Sequence, residues 1–268
     1  MSIDPAAVTE ILRTLSEKII MPQFGRLSAG DIQQKSSPND LVTIVDHEAE
    51  AFLEEALAPL APGAEFIGEE GAAAAPEIVA RLEKPGRYWV IDPLDGTRNF
   101  VKRINEFATI LAYVEDGVTT MGWIYAHPDA ACAVSVKGDG VSWRDGEISI
   151  APQEEGRPQG FRSLGWLPEA DADRLRANLK KHTVTKPGHC SAYAYLKLVF
   201  GAVDFKLSSR IHPWDHAAGV LMLEELGGHT AFLDSNTPYA PSDSVDSALL
   251  AVAPGRDWES LSALIGSR

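Results

Sequence analysis

The stretch WVIDPLDGTRNF, residues 89–100, ends an apolar run at two carboxylates that stand three residues apart. Pro93 stiffens the exit from the run, and Gly96 permits a tight turn or an unusual backbone angle. Asp92, delivered at the end of the strand, and Asp95 can therefore converge from one stiff piece of backbone. Two readings are open. Asp95-Gly96 is ordinary turn chemistry, and Asp92 can cap the amides of Leu94 or Asp95. The same pair of carboxylates can instead hold a cation.

Outward from this stretch, YWVI at 88–91 reads as a short buried strand, and FATILAYV (107–114) and VTTMGWIY (118–125) read as two strands joined by a turn. ACAVSVK and the region 141–150 extend a largely antiparallel sheet. Two helices precede it. One opens at Asp4-Pro5 and recurs at Val8, Ile11, Leu12, Leu15 and Ile19. The other opens near Thr43, a cap that puts Asp46 in the first turn, and ends before Pro59. Residues 1–151 thus form an α+β region that carries most of the candidate ligands.

PQEEGRPQG, 152–160, reads as a linker. Beyond it come helical patterns over 171–180 and 191–200, a strand near VDFKL, an amphipathic helix over 214–226 and a strand in ALLAVA. Residues 152–268 are accordingly expected to form an α/β region completing the site.

The chain has 268 residues, with 24 Lys and Arg against 38 Asp and Glu, a formal charge of -14. Such a surface repels phosphate backbones and anionic lipid, so neither nucleic acid nor membrane is an expected partner. Cys132 and Cys190 have no metal or disulfide spacing and read as reduced thiols. The N-terminal stretch lacks the pattern of a secretory signal, and a cytoplasmic location is expected.

Further carboxylates join the first two. GEEG (68–71) places Glu69 and Glu70 at another strand or loop end, and HPWDHAAGVLMLEELGG (212–228) puts Asp215 near the start of a helix. Alone, the first is a solvated acidic turn and the second a favourable charge at a helix N-terminus. Carboxylates gathered around a phosphate would repel it unless divalent cations intervene. Hard oxygen ligands without a His/Cys cluster favour magnesium over zinc. His212 and His216, four apart, suit packing better than metal binding.

KSSPNDLVTIVD (35–46), GEEG, WVIDPLDGTRNF and HPWDHAAGVLMLEELGG, in this order, resemble the signatures of the inositol monophosphatase family. The resemblance implies an α-β-α-β-α layered sandwich and a magnesium-dependent, lithium-sensitive phosphomonoesterase, as a homodimer. It implies two or three Mg2+ ions: one on Glu69, Asp92 and the Leu94 carbonyl, a second on Asp92, Asp95 and Asp215, and a third near Glu69 through waters. Asp46 and Thr97 would orient the attacking water, which the cation at Glu69 makes more acidic. Lys35, Asp95, Gly96 and Thr97 would meet the phosphate or its surroundings. No covalent intermediate on Ser36, Ser37 or Cys190 is expected.

Ser191, Ser208 and Arg210 are the candidates for the alcohol side of the substrate. Ser208 stands where animal members of the family carry an acidic residue for inositol hydroxyls, and Arg210 adds a positive group. Inositol-1-phosphate is the first expectation. Histidinol phosphate, fructose-1,6-bisphosphate and phosphoadenosine-type nucleotides are alternatives, as is a regulatory, protein-binding role without catalysis.

Overall fold

A computed structural model describes residues 3–34, 41–153, 155–188, 190–243 and 247–267. Lys35, Ser36 and Ser37 lie outside the described residues. Asp4 caps α1 (Pro5–Leu15) by accepting from the Ala6 amide at 2.9 Å, and Val8, Leu12 and Leu15 are buried along one face. The helix widens at Ser16–Ile20 and closes in α2 (Met21–Gln23). β1 (Ile32–Gln34) pairs antiparallel with β2 (Leu41–Thr43). Thr43 then caps α3 (Ile44–Leu57) in a reciprocal box with Asp46.

β3 (Glu65–Gly68) runs directly into α4 (Glu69–Ala74), and β4 (Arg87–Asp95) into α5 (Thr97–Val101). With β5 (Ala108–Glu115), β6 (Val118–Ala126), β7 (Ala131–Val136), β8 (Gly140–Trp143) and β9 (Gly146–Glu147) they build a seven-stranded sheet in chain order. β3 and β4 are parallel, and the remaining neighbours are antiparallel.

The second half contributes β10 (Gln159–Ser163), α6 (Glu169–His182), β11 (Val184–Pro187), α7 (Ser191–Val199), β12 (Phe205–Ser208), α8 (Pro213–Glu225), β13 (His229–Phe232), β14 (Leu249–Val252) and α9 (Trp258–Gly266). Its five strands are ordered β11-β10-β12-β14-β13. β10, expected to fall in a linker, begins at Gln159 because its parallel pairing with both β11 and β12 outweighs the local Pro and Gly content.

Period-two alternation assigns each face of each sheet. Trp89, Ile91, Leu111 and Trp123 pack with Leu12, Val45 and Leu53 of α1 and α3. Val90, Ile110, Ala112 and Ile124 point to the opposite face, against Tyr195, Ala217 and Ala218 of α7 and α8. In β14, Leu249 and Ala251 join that same middle core, whereas Leu250 and Val252 pack with Leu175, Leu179, Leu261 and Ile265 of α6 and α9. The result is an α-β-α-β-α sandwich, as the resemblance implies. Each fully buried leucine in these layers contributes about 2 kcal/mol.

α8 departs from the sequence reading. It is not amphipathic: Pro213, Trp214 and every residue from His216 to Leu223 are buried, with Asp215 alone in that run partly open. The helix lies between the two sheets and meets solvent mainly at its last turn, at Glu224 and Glu225. It also lies close to β6, since a Cβ at Gly122 would sit 2.9 Å from Ala218 Cα. Among the described residues, no helix is long and apolar enough to cross a membrane.

Candidate active site

The β4 strand does not stop at Asp92. It continues through Pro93 to Asp95, and its pairing register with β5 shifts between the two aspartates. In a regular strand, residues three apart face opposite sides. One extra residue at a bulge reverses that relation, so Asp92 and Asp95 can face the same cleft. Side chains fix the bulge: Thr109 Oγ1 donates to the Pro93 carbonyl at 2.8 Å and lies 3.0 Å from His127 Nε2. Gly96 follows at φ +85°, where a Cβ would stand 2.9 Å from the Glu106 carbonyl oxygen. That left-handed angle swings the chain into α5 and lets Thr97 return toward Leu94.

Asp92 Oδ1 accepts from the Leu94 amide at 3.2 Å, so it caps the turn and also faces the cleft. The capping reading of the motif is realised, and it leaves the carboxylates turned to the cleft as the cation reading requires. One oxygen each of Asp92, Asp95 and Asp215 lies within 4.8 Å of the others. They line a cavity of about 130 Å³ with Glu69, Leu94, Gly96, Thr97, Arg98 and Arg210. Burial, then repulsion from Glu69, Asp95, Asp215 and Asp46, raises the Asp92 carboxyl well above its usual range. A divalent cation suits this donor set, because the groups that converge among the described residues are carboxylates, whose mutual repulsion is relieved by positive charge.

Asp95 is held from the other half of the chain. Its carboxylate accepts from the Cys190 thiol at 2.8 Å, the Ser191 amide at 3.1 Å and the Ala192 amide at 2.7 Å, at the start of α7. These bonds oppose the upward push of burial and of Asp215. Cys190 itself is raised far above a free thiol, by burial first and by Asp95 second. Such a thiol stays protonated and serves as a donor.

Asp46 and Thr97 form a second unit beside the cluster. Asp46 Oδ2 accepts from the Thr43 amide at 2.8 Å and the Thr43 hydroxyl at 2.6 Å. Thr97 Oγ1 lies 3.0 Å from Asp46 Oδ1 and 2.9 Å from the Leu94 carbonyl, with one proton to give to either. Burial pushes Asp46 up to about 7. A carboxylate in that range is suited to accept a proton near neutrality.

The description of the inositol monophosphatase family matches residues 4–266. The chain belongs to the inositol monophosphatase family. The inositol-1-monophosphatase of Bacillus subtilis (strain 168) is 33% identical over 205 residues, 74% of each chain. The fructose-1,6-bisphosphatase/inositol-1-monophosphatase of Thermotoga maritima is 28% identical over 213 residues, 78% of this chain and 77% of the relative. The solved structure of a Thermotoga maritima IMPase superposes with a TM-score of 0.79 at 24% identity, covering 97% of this chain and 95% of that one. This member of the inositol monophosphatase family is a phosphoric monoester hydrolase that acts, with magnesium, on a small phosphate monoester.

The remaining sequence candidates of this family member occupy different places. Arg210 lines the cleft and its guanidinium lies 5.2 Å over the exposed ring of Trp166. Ser208 is buried at the end of β12, opposite Ser163 and Leu249. Ser191 meets the site through its amide. His216 uses both ring nitrogens on protein groups, Tyr195 Oη at 2.7 Å and the Arg210 carbonyl at 2.9 Å. His212 stacks on Trp214 at 4.7 Å.

Sequence reasoning missed three contributors, Arg98, the donor role of Cys190, and Glu50. Arg98 lines the cleft from within the quoted motif and was assigned no role. Cys190 reads as a small hydrophobe and turns out to be a donor to Asp95. Lys206, a weak candidate from the sequence for a second basic site, is buried in β12 with Nζ 4.6 Å over the Tyr195 ring. Glu50 lies one helical turn beyond Asp46, and its spacing on α3 was the signal available.

Proposed function

We propose that the enzyme hydrolyses inositol-1-phosphate or a closely similar polyol monophosphate by direct attack of water. The convergence of Asp92, Asp95 and Asp215 beside the Asp46–Thr97 pair carries this reading. Glu69, Asp92 and the Leu94 carbonyl would hold one magnesium ion, and Asp92, Asp95 and Asp215 a second, with a third near Glu69 through waters. Magnesium there supplies positive charge to the phosphate and makes an adjacent water more acidic. Thr97 would orient that water and pass its proton toward Asp46. Gly96 and Thr97, which line the cleft, would face the phosphate, and Lys35, outside the described residues, is a further candidate to meet it. Lithium inhibition and homodimer assembly belong to the same reading.

The name of the Bacillus subtilis relative supports inositol-1-phosphate. A second reading, a sugar bisphosphate, is favoured by Arg210: it brings positive charge to the cleft wall, and the Thermotoga maritima relative is named for both activities. Ser208 would then stand near the alcohol portion without supplying charge. Magnesium-dependent phosphate release across inositol-1-phosphate, histidinol phosphate, fructose-1,6-bisphosphate, phosphoadenosine phosphate and glycerol-2-phosphate tests the choice. The account expects the highest kcat/KM with inositol-1-phosphate. A clear preference for fructose-1,6-bisphosphate, lost in Arg210→Gln, would select the second reading. No turnover with any of them would reject both.

A further inference from the structure

α3 carries two buried carboxylates on one face, Asp46 and Glu50, one turn apart. Asp46 reaches Thr97. Glu50 reaches in the other direction, to the turn between β3 and α4. Its Oε2 accepts from the Glu70 amide at 2.9 Å, and its Oε1 from the Gly71 amide at 2.7 Å. These contacts bridge 20 and 21 residues of chain and fix the backbone on the C-terminal side of Glu69. Gly68 fixes the other side: a Cβ there would overlap the Glu50 carboxylate, so a side chain at 68 and this pair of bonds exclude each other.

Glu69 lines the cleft, while Glu70, its neighbour, is turned inward and buried. Which of the two faces the cleft depends on the rotation of this turn about its own axis. Two hydrogen bonds from a single planar acceptor set that rotation more firmly than one could. A carboxylate is needed for this: the side-chain amide of glutamine has one accepting atom, and its NH2 would oppose the second backbone N–H.

We propose that Glu50 is a positioning residue for Glu69, acting through the Glu70 and Gly71 amides, and thereby sets the affinity of the cleft for its divalent cation. The proposal rests on the reading of Glu69 as a cation ligand. It goes beyond that reading in giving α3 two tasks: Asp46 orients the proton-accepting unit, and Glu50 orients a ligand about one turn away. The proton acceptor for the attacking water and a ligand of the cation that acidifies it would then both be registered to one helix.

The test is calorimetric titration of metal-free full-length protein with MgCl2, together with the magnesium dependence of kcat and a metal-free melt, for wild type, Glu50→Gln, Glu50→Asp and Glu69→Gln. Loss of a group that orients a metal ligand costs about 10- to 100-fold in metal affinity. Glu50→Gln is therefore expected to raise the magnesium dissociation constant at least about tenfold, while kcat at saturating magnesium returns to within about threefold of wild type. Glu50→Asp, shorter by one methylene, is expected to weaken binding in the same direction. A folded Glu50→Gln with unchanged magnesium affinity overturns the proposal, as does failure of both Glu50 variants to fold, which would make the residue a structural one. Unchanged affinity in Glu69→Gln would instead reject Glu69 as a ligand, and with it the reading on which the proposal stands.

Discussion

Replacing Thr97 with valine removes one hydroxyl and keeps the shape of the side chain. That hydroxyl lies 3.0 Å from Asp46 Oδ1 and 2.9 Å from the Leu94 carbonyl, while the other Asp46 oxygen stays bound to Thr43. The stability effect is bounded: one hydrogen bond and one less satisfied carboxylate oxygen cost about 1–3 kcal/mol, a fall in Tm of about 2–12 °C for a chain of this size. The effect on turnover is larger. A positioned proton-transfer unit contributes about 10²- to 10⁴-fold, or about 2.7–5.5 kcal/mol of barrier. Thr97→Val should therefore lose at least about a hundredfold in kcat at saturating magnesium and substrate, and Thr97→Ser less than about tenfold. Asp46→Asn should lose a similar amount, and the double variant little more, since the two residues act as one unit. A folded Thr97→Val with more than about a tenth of wild-type kcat would refute this role for the pair.

Cys190→Ala should keep kcat within about tenfold of wild type, because Asp95 retains the Ser191 and Ala192 amides and the proposed nucleophile is water rather than the buried, protonated thiol. Complete loss of hydrolysis in a folded variant would contradict that. His127 gives a pH signature. Burial lowers it to about 3, against about 6.5 in the unfolded chain, so below about pH 6.5 the unfolded state binds one more proton than the folded state. Stability from keeping this ring neutral is therefore complete above about pH 6.5 and lost on acidification, at about 1.4 kcal/mol per pH unit. In metal-free urea titrations, the gap between wild type and His127→Asn should narrow by about that amount between about pH 6 and pH 5. A gap independent of pH would contradict the assignment.

Much of the site is legible along the chain because its carboxylates sit in short, chemically unusual stretches. Asp92, Asp95, Gly96 and Thr97 are within six consecutive residues, and Pro93 and Gly96 announce their backbone geometry. The layered sandwich is legible through the resemblance, and the strands through alternation. What escapes is whatever depends on a distant partner. The Asp95–Cys190 bond spans 95 residues, and the Glu50–Gly71 bond spans 21. Neither cysteine nor glutamate advertises its partner by spacing. The burial of α8 on all sides from Pro213 to Leu223 escapes too, because periodicity reports how a helix distributes polarity and cannot report a second sheet arriving from residues 159–252. The extension of β4 through Pro93 is hidden for a related reason: the bulge has a partner sixteen residues away, Thr109, whose hydroxyl binds the Pro93 carbonyl.

The central claim is that Asp92 anchors a magnesium centre, and the direct test is the thermal melt of wild type and Asp92→Asn across a magnesium titration at fixed ionic strength. Asp92 is buried among Glu69, Asp95, Asp215 and Asp46, whose charges oppose its ionisation. Neutralising it should relieve that repulsion, so metal-free Asp92→Asn should melt at or above the temperature of metal-free wild type. Wild type should then gain stability as magnesium is added, by about 2.7 kcal/mol at a hundredfold excess over its dissociation constant. The variant should gain almost none, and its magnesium-dependent phosphate release should be lost. A variant that melts and responds to magnesium as wild type does would contradict the account.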